Sequence, residues 1–226
     1  MKKFFYLFLI LFCISCSVNK PYVSSLSCKR VIVELDNGNV TERLSLFVRF
    51  NDEDGINDYD SMTLFQKDTA LYWHITRSLS SFFKTDYEDK NTFIVGTNKI
   101  VYPLGKFPLG EYEVQVQDMQ GNKVVRFFKI DDELKLSHLD ATLTIENGIW
   151  NVKVGDEVLF TRFYLLLLGA DRQPIFLKTI NVSSNGQVSD SIESLKSESP
   201  DARYVQLCAE NPQRNKGYLA KPIQLY

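Results

Sequence analysis

Glu111-Tyr112-Glu113-Val114-Gln115-Val116-Gln117-Asp118 alternates without a break. In an extended chain successive side chains point to opposite faces. Tyr112, Val114 and Val116 therefore share one side, and Glu113, Gln115 and Gln117 the other. One face suits a core and the other suits water, the pattern of an antiparallel strand wetted on one side. Gln120-Gly121-Asn122 has turn chemistry, and residues 123–130 return as a partner strand.

The same period of two extends outward on the N-terminal side. Val31, Val33 and Leu35 alternate, Asp36-Asn37-Gly38-Asn39 turns the chain, and Leu44, Leu46, Val48 and Phe50 share a face opposite Arg43, Ser45 and Arg49. Residues 61–67, 71–76, 92–95 and 99–102 read as further strands. No segment keeps a period of 3.6. Seven or eight short strands in about 100 residues predict a sandwich. Residues 131–138, DDELKLSH, read as a short charged boundary. Beyond it lie strand candidates at 141–146, 149–154, 158–168, 175–182, 202–211 and 219–225. Within them Leu165-Leu166-Leu167-Leu168 suggests a central strand. The expected fold is all-β, with two tandem antiparallel β-sandwich domains at 28–131 and 138–226.

Leu109-Gly110-Glu111-Tyr112-Glu113-Val114 resembles the start of strand F in immunoglobulin-like domains. The resemblance implies a tyrosine corner at Tyr112, its hydroxyl bonding back to the upstream backbone. Val114 stands where antibody domains carry a cysteine, so the likeness is to a disulfide-free relative, with Trp73 as candidate core tryptophan. The second half resembles a fibronectin type III module. Val205, Leu207, Ala209 and Asn211 have the spacing of its strand F. Lys221-Pro222-Ile223-Gln224-Leu225 resembles its last strand, and Ile192 and Leu195 its strand E and E–F turn. The family's tyrosine falls at Arg203, with Tyr204 one place late. Such a resemblance implies fold rather than activity.

The first residues give an address. Lys2 and Lys3 precede an apolar run from Phe4 to Phe12, too short to span a bilayer, which needs about 20 residues. A basic start, a short apolar core and small residues form a signal-peptide pattern over residues 1–15. Ile14-Ser15-Cys16 resembles a bacterial lipobox, implying lipidation of Cys16 and a tether over 16–27. Plain cleavage at Ser15-x-Ser17 and an uncleaved anchor are the alternatives. The expected location is exported and lipid-anchored to a bacterial membrane, at the periplasmic face or the cell surface.

Composition narrows the partners. Without Lys2 and Lys3, 24 of 26 basic residues remain against 28 acidic ones. No basic run offers a face for phosphates, which excludes nucleic acid. Cys28 and Cys208 lack metal-ligand spacing; an exported location permits a disulfide between them, but they fall in different predicted domains and read as free thiols. The two histidines, His74 and His138, have no metal-like neighbour at i+2 or i+4. No convergent acid, base or nucleophile emerges, so neither catalysis nor a cofactor is expected.

Two stretches remain as candidate sites. Residues 51–60, NDEDGINDYD, carry Asp52, Asp54 and Asp58, oxygen ligands that suit a weak calcium site, although the EF-hand register fails at Phe50 and Ser61. Turn geometry alone also explains this composition. Residues 77–91 hold Phe82, Phe83 and Tyr87 among polar neighbours, which suggests aromatic anchors for a partner. A short helix plugging the sandwich end is the alternative. The expected function is a non-catalytic protein-interaction or scaffolding module; a glycan-binding accessory lipoprotein is the other reading.

Overall fold

The computed structural model describes residues 20–84, 91–155 and 159–225. Its secondary structure is nearly all β, and it divides into two compact units. Unit 1 comprises Phe47–Thr97 and Gly110–Asp131, with the described residues up to Ser27. Unit 2 comprises Cys28–Leu46, Asn98–Leu109 and Asp132–Tyr226. The units are thus not the contiguous segments 28–131 and 138–226. Strands β1 (Tyr22–Glu34), β2 (Val40–Asn51) and β6 (Thr92–Val101) each contribute residues to both. A 13-residue strand exceeds the usual five or six, and local alternation carries no mark of where one layer ends.

In unit 1, β3 (Tyr59–Gln66), β4 (Leu71–Thr76), β7 (Gly110–Asp118) and β8 (Lys123–Ile130) form a sheet in the order β4-β3-β7-β8. The first part of β1, the last part of β2, the first part of β6 and β5 (Ser81–Lys84) are ordered β1-β2-β6-β5. Met62, Leu64, Val114 and Val116 from the first group and Val48, Phe50 and Val95 from the second are all buried. Tyr112 is fully buried and stacks on Phe128, with ring centroids 5.1 Å apart. Gly110, at φ +123°, opens this strand; a Cβ there would collide with the Asp68 carboxylate. Trp73 is only half-buried. Tether residues 22–27 belong to β1: Val23 is buried and its carbonyl accepts from Arg126. Their run of serines hides the strand from periodicity, since pairing with β2 rather than apolar alternation defines it.

In unit 2, β11 (Arg162–Leu168) lies between β12 (Pro174–Ile180) and β14 (Tyr204–Asn211). Beyond β14 come β15 (Lys216–Leu219) and then the unit 2 portions of β1, β2 and β6; β16 (Ile223–Gln224) also pairs β14. The β1–β15 pair is parallel, Arg30 facing Lys216. A smaller sheet has the order β13-β10-β9, from β9 (Ala141–Glu146), β10 (Ile149–Val154) and β13 (Gln187–Ser191). The core joins Trp150 and Val152 with Leu165, Leu167, Val205 and Leu207. Ile192 and Leu195 pack into it from a seven-residue helix, α1 (Ile192–Glu198), capped by the Ser191 side chain. The fully buried tryptophan is therefore Trp150.

Candidate interaction surfaces and a carboxylate cluster

Residues 77–84 form a 3-10 turn, Arg77–Leu79, followed by β5. Adjacent strand positions face opposite ways, so Phe82 and Phe83 part company. Phe82 packs edge-on against Tyr59 at 5.5 Å, with the Arg77 guanidinium 5.0 Å above its ring. Tyr59 is buried and hydrogen-bonded with Ser80 at 3.0 Å; burial pushes its hydroxyl pKa up to about 12. Phe83 is 55% exposed, 6.0 Å from Phe47 and opposite Ile94 in register. Tyr87 lies outside the described residues.

Two exposed surfaces escaped sequence analysis. On β12, at the end of its sheet order, the successive residues Ile175, Phe176 and Leu177 are all exposed. Three consecutive apolar residues, Ile175-Phe176-Leu177, were the available signal; that β12 has one neighbour among the described residues shows only in the fold. On the outer face of the four-stranded sheet, register aligns Tyr72, Phe65, Glu113 and Phe127 in one row. Tyr72 and Phe127 are exposed, and Lys67 lies 5.0 Å from the Phe127 ring centroid. The neighbouring row is His74, Thr63, Gln115 and Val125.

The acidic loop gathers differently from its sequence order. Asp52 and Asp58 meet Asp118, from the end of β7, rather than Asp54; one oxygen from each of the three lies within 4.8 Å of the others. Asp52 Oδ1 accepts from the Asp54 N–H at 2.9 Å, whereas Asp52 Oδ2 and Asp58 Oδ2 are buried with no hydrogen-bond partner among the described residues. Asp118 accepts from the Gln120 and Asn122 N–H groups and from Asn122 Nδ2. Burial raises the pKa of Asp52 and of Asp58, and the neighbouring carboxylates add to it. Alternation alone makes Asp118 the end of a strand, and its distance in sequence from the loop hides its part in the cluster.

A second buried charge site lies in unit 2. Glu42, fully buried, accepts from Arg30 Nε at 2.5 Å and from the Phe107 N–H at 3.0 Å. Arg30 also donates to the Asp132 carbonyl, and Lys216 pairs with the Asp132 carboxylate. Asp132 is held below the usual carboxylate range, chiefly by the Lys216 hydrogen bond.

Cys28 and Cys208 are free, and burial pushes each thiol up to about 12. Both fall in unit 2, not in separate domains. They stay apart because β15 runs between β1 and β14, setting those strands about 9.6 Å apart, beyond the ~7 Å a bridge allows. His74 hydrogen-bonds with Thr63 at 3.2 Å, and His138 lies 3.5 Å from Glu34. A cavity of about 560 Å³ in unit 2 is lined in part by Asp132, His138, Lys216 and Tyr218.

No protein-family model matches the chain, and no curated protein does. Solved structures offer distant likenesses. The 47-kilodalton lipoprotein Tp47 of Treponema pallidum shares 11% identity at a TM-score of 0.43, over 89% of this chain and 50% of its own. Dimeric latent PorU from Porphyromonas gingivalis shares 9% at 0.36, over 93% and 20%. The BSP domain of a biofilm associated protein shares 11% at 0.27, over 89% and 29%. The chain thus spans half or less of those chains, and scores this low carry no functional argument. Among the described residues, no helix is long and apolar enough to cross a membrane.

Proposed function

We propose that this chain is an exported, lipid-anchored, non-catalytic module that holds a protein partner through its exposed apolar strand edges. The observation that carries this reading is Ile175, Phe176 and Leu177, at 44%, 39% and 54% exposure on one edge strand. An edge strand offers unpaired N–H and C=O groups to an added strand, and apolar side chains supply the contact area. Phe83 gives unit 1 a similar anchor on β5; of the other two aromatics expected to serve in residues 77–91, Phe82 packs against Tyr59 and Tyr87 lies outside the described residues. Attachment through Cys16 rests on the Ile14-Ser15-Cys16 motif.

The test is cross-linked capture from intact envelopes by the full chain, comparing wild type with Ile175→Lys/Leu177→Lys and with Phe83→Ser. Each changed side chain is solvent-facing, so stability should move by about 0.5 kcal/mol or less. Loss of captured protein at unchanged stability supports the reading; undiminished capture by both variants overturns it.

The row Tyr72, Phe65, Glu113 and Phe127 favours a second reading, glycan binding. Flat aromatic faces flanked by polar side chains suit sugar rings, which have apolar faces and hydroxyl rims. Tyr72→Ala/Phe127→Ala should then abolish retardation in polysaccharide affinity gels. Equal mobility of wild type and variant in every gel removes this reading.

A further inference from the structure

We propose that Asp52, Asp58 and Asp118 form a calcium site in unit 1. The three carboxylates come from two separate stretches of chain and converge so that one oxygen from each lies within 4.8 Å of the others. Calcium holds oxygens at about 2.3–2.6 Å, so two ligands across one ion stand up to about 4.6–5.2 Å apart. Asp52 is 2% exposed and Asp118 is fully buried.

The second observation is electrostatic. Among the described residues no lysine, arginine or histidine pairs with any of the three carboxylates. Two buried oxygens, Asp52 Oδ2 and Asp58 Oδ2, have no donor among the described residues. A buried carboxylate left this way is strongly destabilising unless a cation or a proton neutralises it.

Donor chemistry chooses among cations. The cluster is all carboxylate oxygen, with no histidine or cysteine in it, which suits hard ions over zinc or copper. Magnesium demands a tight octahedron and keeps most of its waters, whereas calcium accepts irregular sets of six to eight oxygens. The ligands are also fixed in advance. The Asp52 N–H donates to the Asn91 carbonyl, the Met119 N–H donates to the Asp58 carbonyl, and the turn amides hold Asp118.

The ion would brace more than its own loop. Asp58 precedes Tyr59, whose ring supports Phe82 beneath β5. Arg77 donates to the Ile56 and Tyr59 carbonyls at 2.7 and 2.8 Å, tying the same segment to that ring. Calcium therefore stiffens the strand edge that exposes Phe83.

The experiment uses the full chain in detergent, with thermal unfolding and titration calorimetry in calcium, magnesium or chelator. Calcium should raise the unfolding midpoint by several degrees and bind at one ion per chain. Half-saturation should fall between about 10⁻⁵ and 10⁻³ M. Asp52→Asn and Asp58→Asn should each abolish both effects. Should Asp52→Asn fail to fold, the partly exposed Asp58→Asn decides. The proposal is overturned by no calcium response in wild type, by an unchanged response in the variants, or by an equal midpoint shift from magnesium at the same concentration.

Discussion

The two units each bury carboxylates, and they treat them in opposite ways. In unit 2, Glu42 is fully buried, yet Arg30 and the Phe107 N–H hold both its oxygens. Asp132 nearby is matched by Lys216 and Arg30. In unit 1, Asp52, Asp58 and Asp118 share one site that no cation among the described residues pairs with, and two oxygens have no donor there. Burial alone therefore says little about what an acid does. A matched acid is internal structure, whereas an unmatched group of three is incomplete until something positive arrives. The same distinction separates Phe82, which finds Tyr59 and Arg77, from Phe83, which remains largely in solvent.

The largest test of this contrast is Glu42→Ala. It leaves the buried Arg30 Nε without its partner, with only the half-exposed Asp132 to offset the charge, which should cost about 3 kcal/mol in denaturant unfolding. The double change Arg30→Met/Glu42→Leu removes both charges and should be more stable than the single variant. If Glu42→Ala unfolds like wild type, the unit 2 site is not matched in the sense described.

A smaller effect of opposite sign is expected in unit 1. In chelator, Asp52→Asn removes one of three like charges and adds a donor. Its unfolding midpoint should equal or exceed that of wild type. A clear loss of stability in chelator would mean that the carboxylates already have their counter-charge.

The smallest effect is in the pH dependence. Asp52 and Asp58 have folded pKa values above the ordinary carboxylate value. Their contribution is therefore fully present below that value and lost as pH rises through the raised one. In chelator, the advantage of Asp52→Asn over wild type should shrink on acidification from neutral toward about pH 4. Asp132 is shifted the other way, so its contribution is present above the ordinary value and lost as pH falls through the lowered one. The advantage of wild type over Asp132→Asn should therefore also shrink, but only below about pH 4. Parallel profiles for the two variants would erase the contrast.

The sequence by itself determined the all-β class and most strands, because alternation such as Tyr112-Glu113-Val114-Gln115-Val116 is a local property of an extended chain. It also singled out Asp52, Asp58 and Phe83 as residue types suited to binding. Tertiary structure decided what each of these meets. Asp118 joins the acidic loop across about 60 residues of chain. Tyr22 and Val23 pair into β1 although serines surround them, and α1 forms where a strand turn was expected. Partnership between distant segments leaves no period to read. A side chain's role here depends on whether a partner reaches it, which only the folded chain fixes.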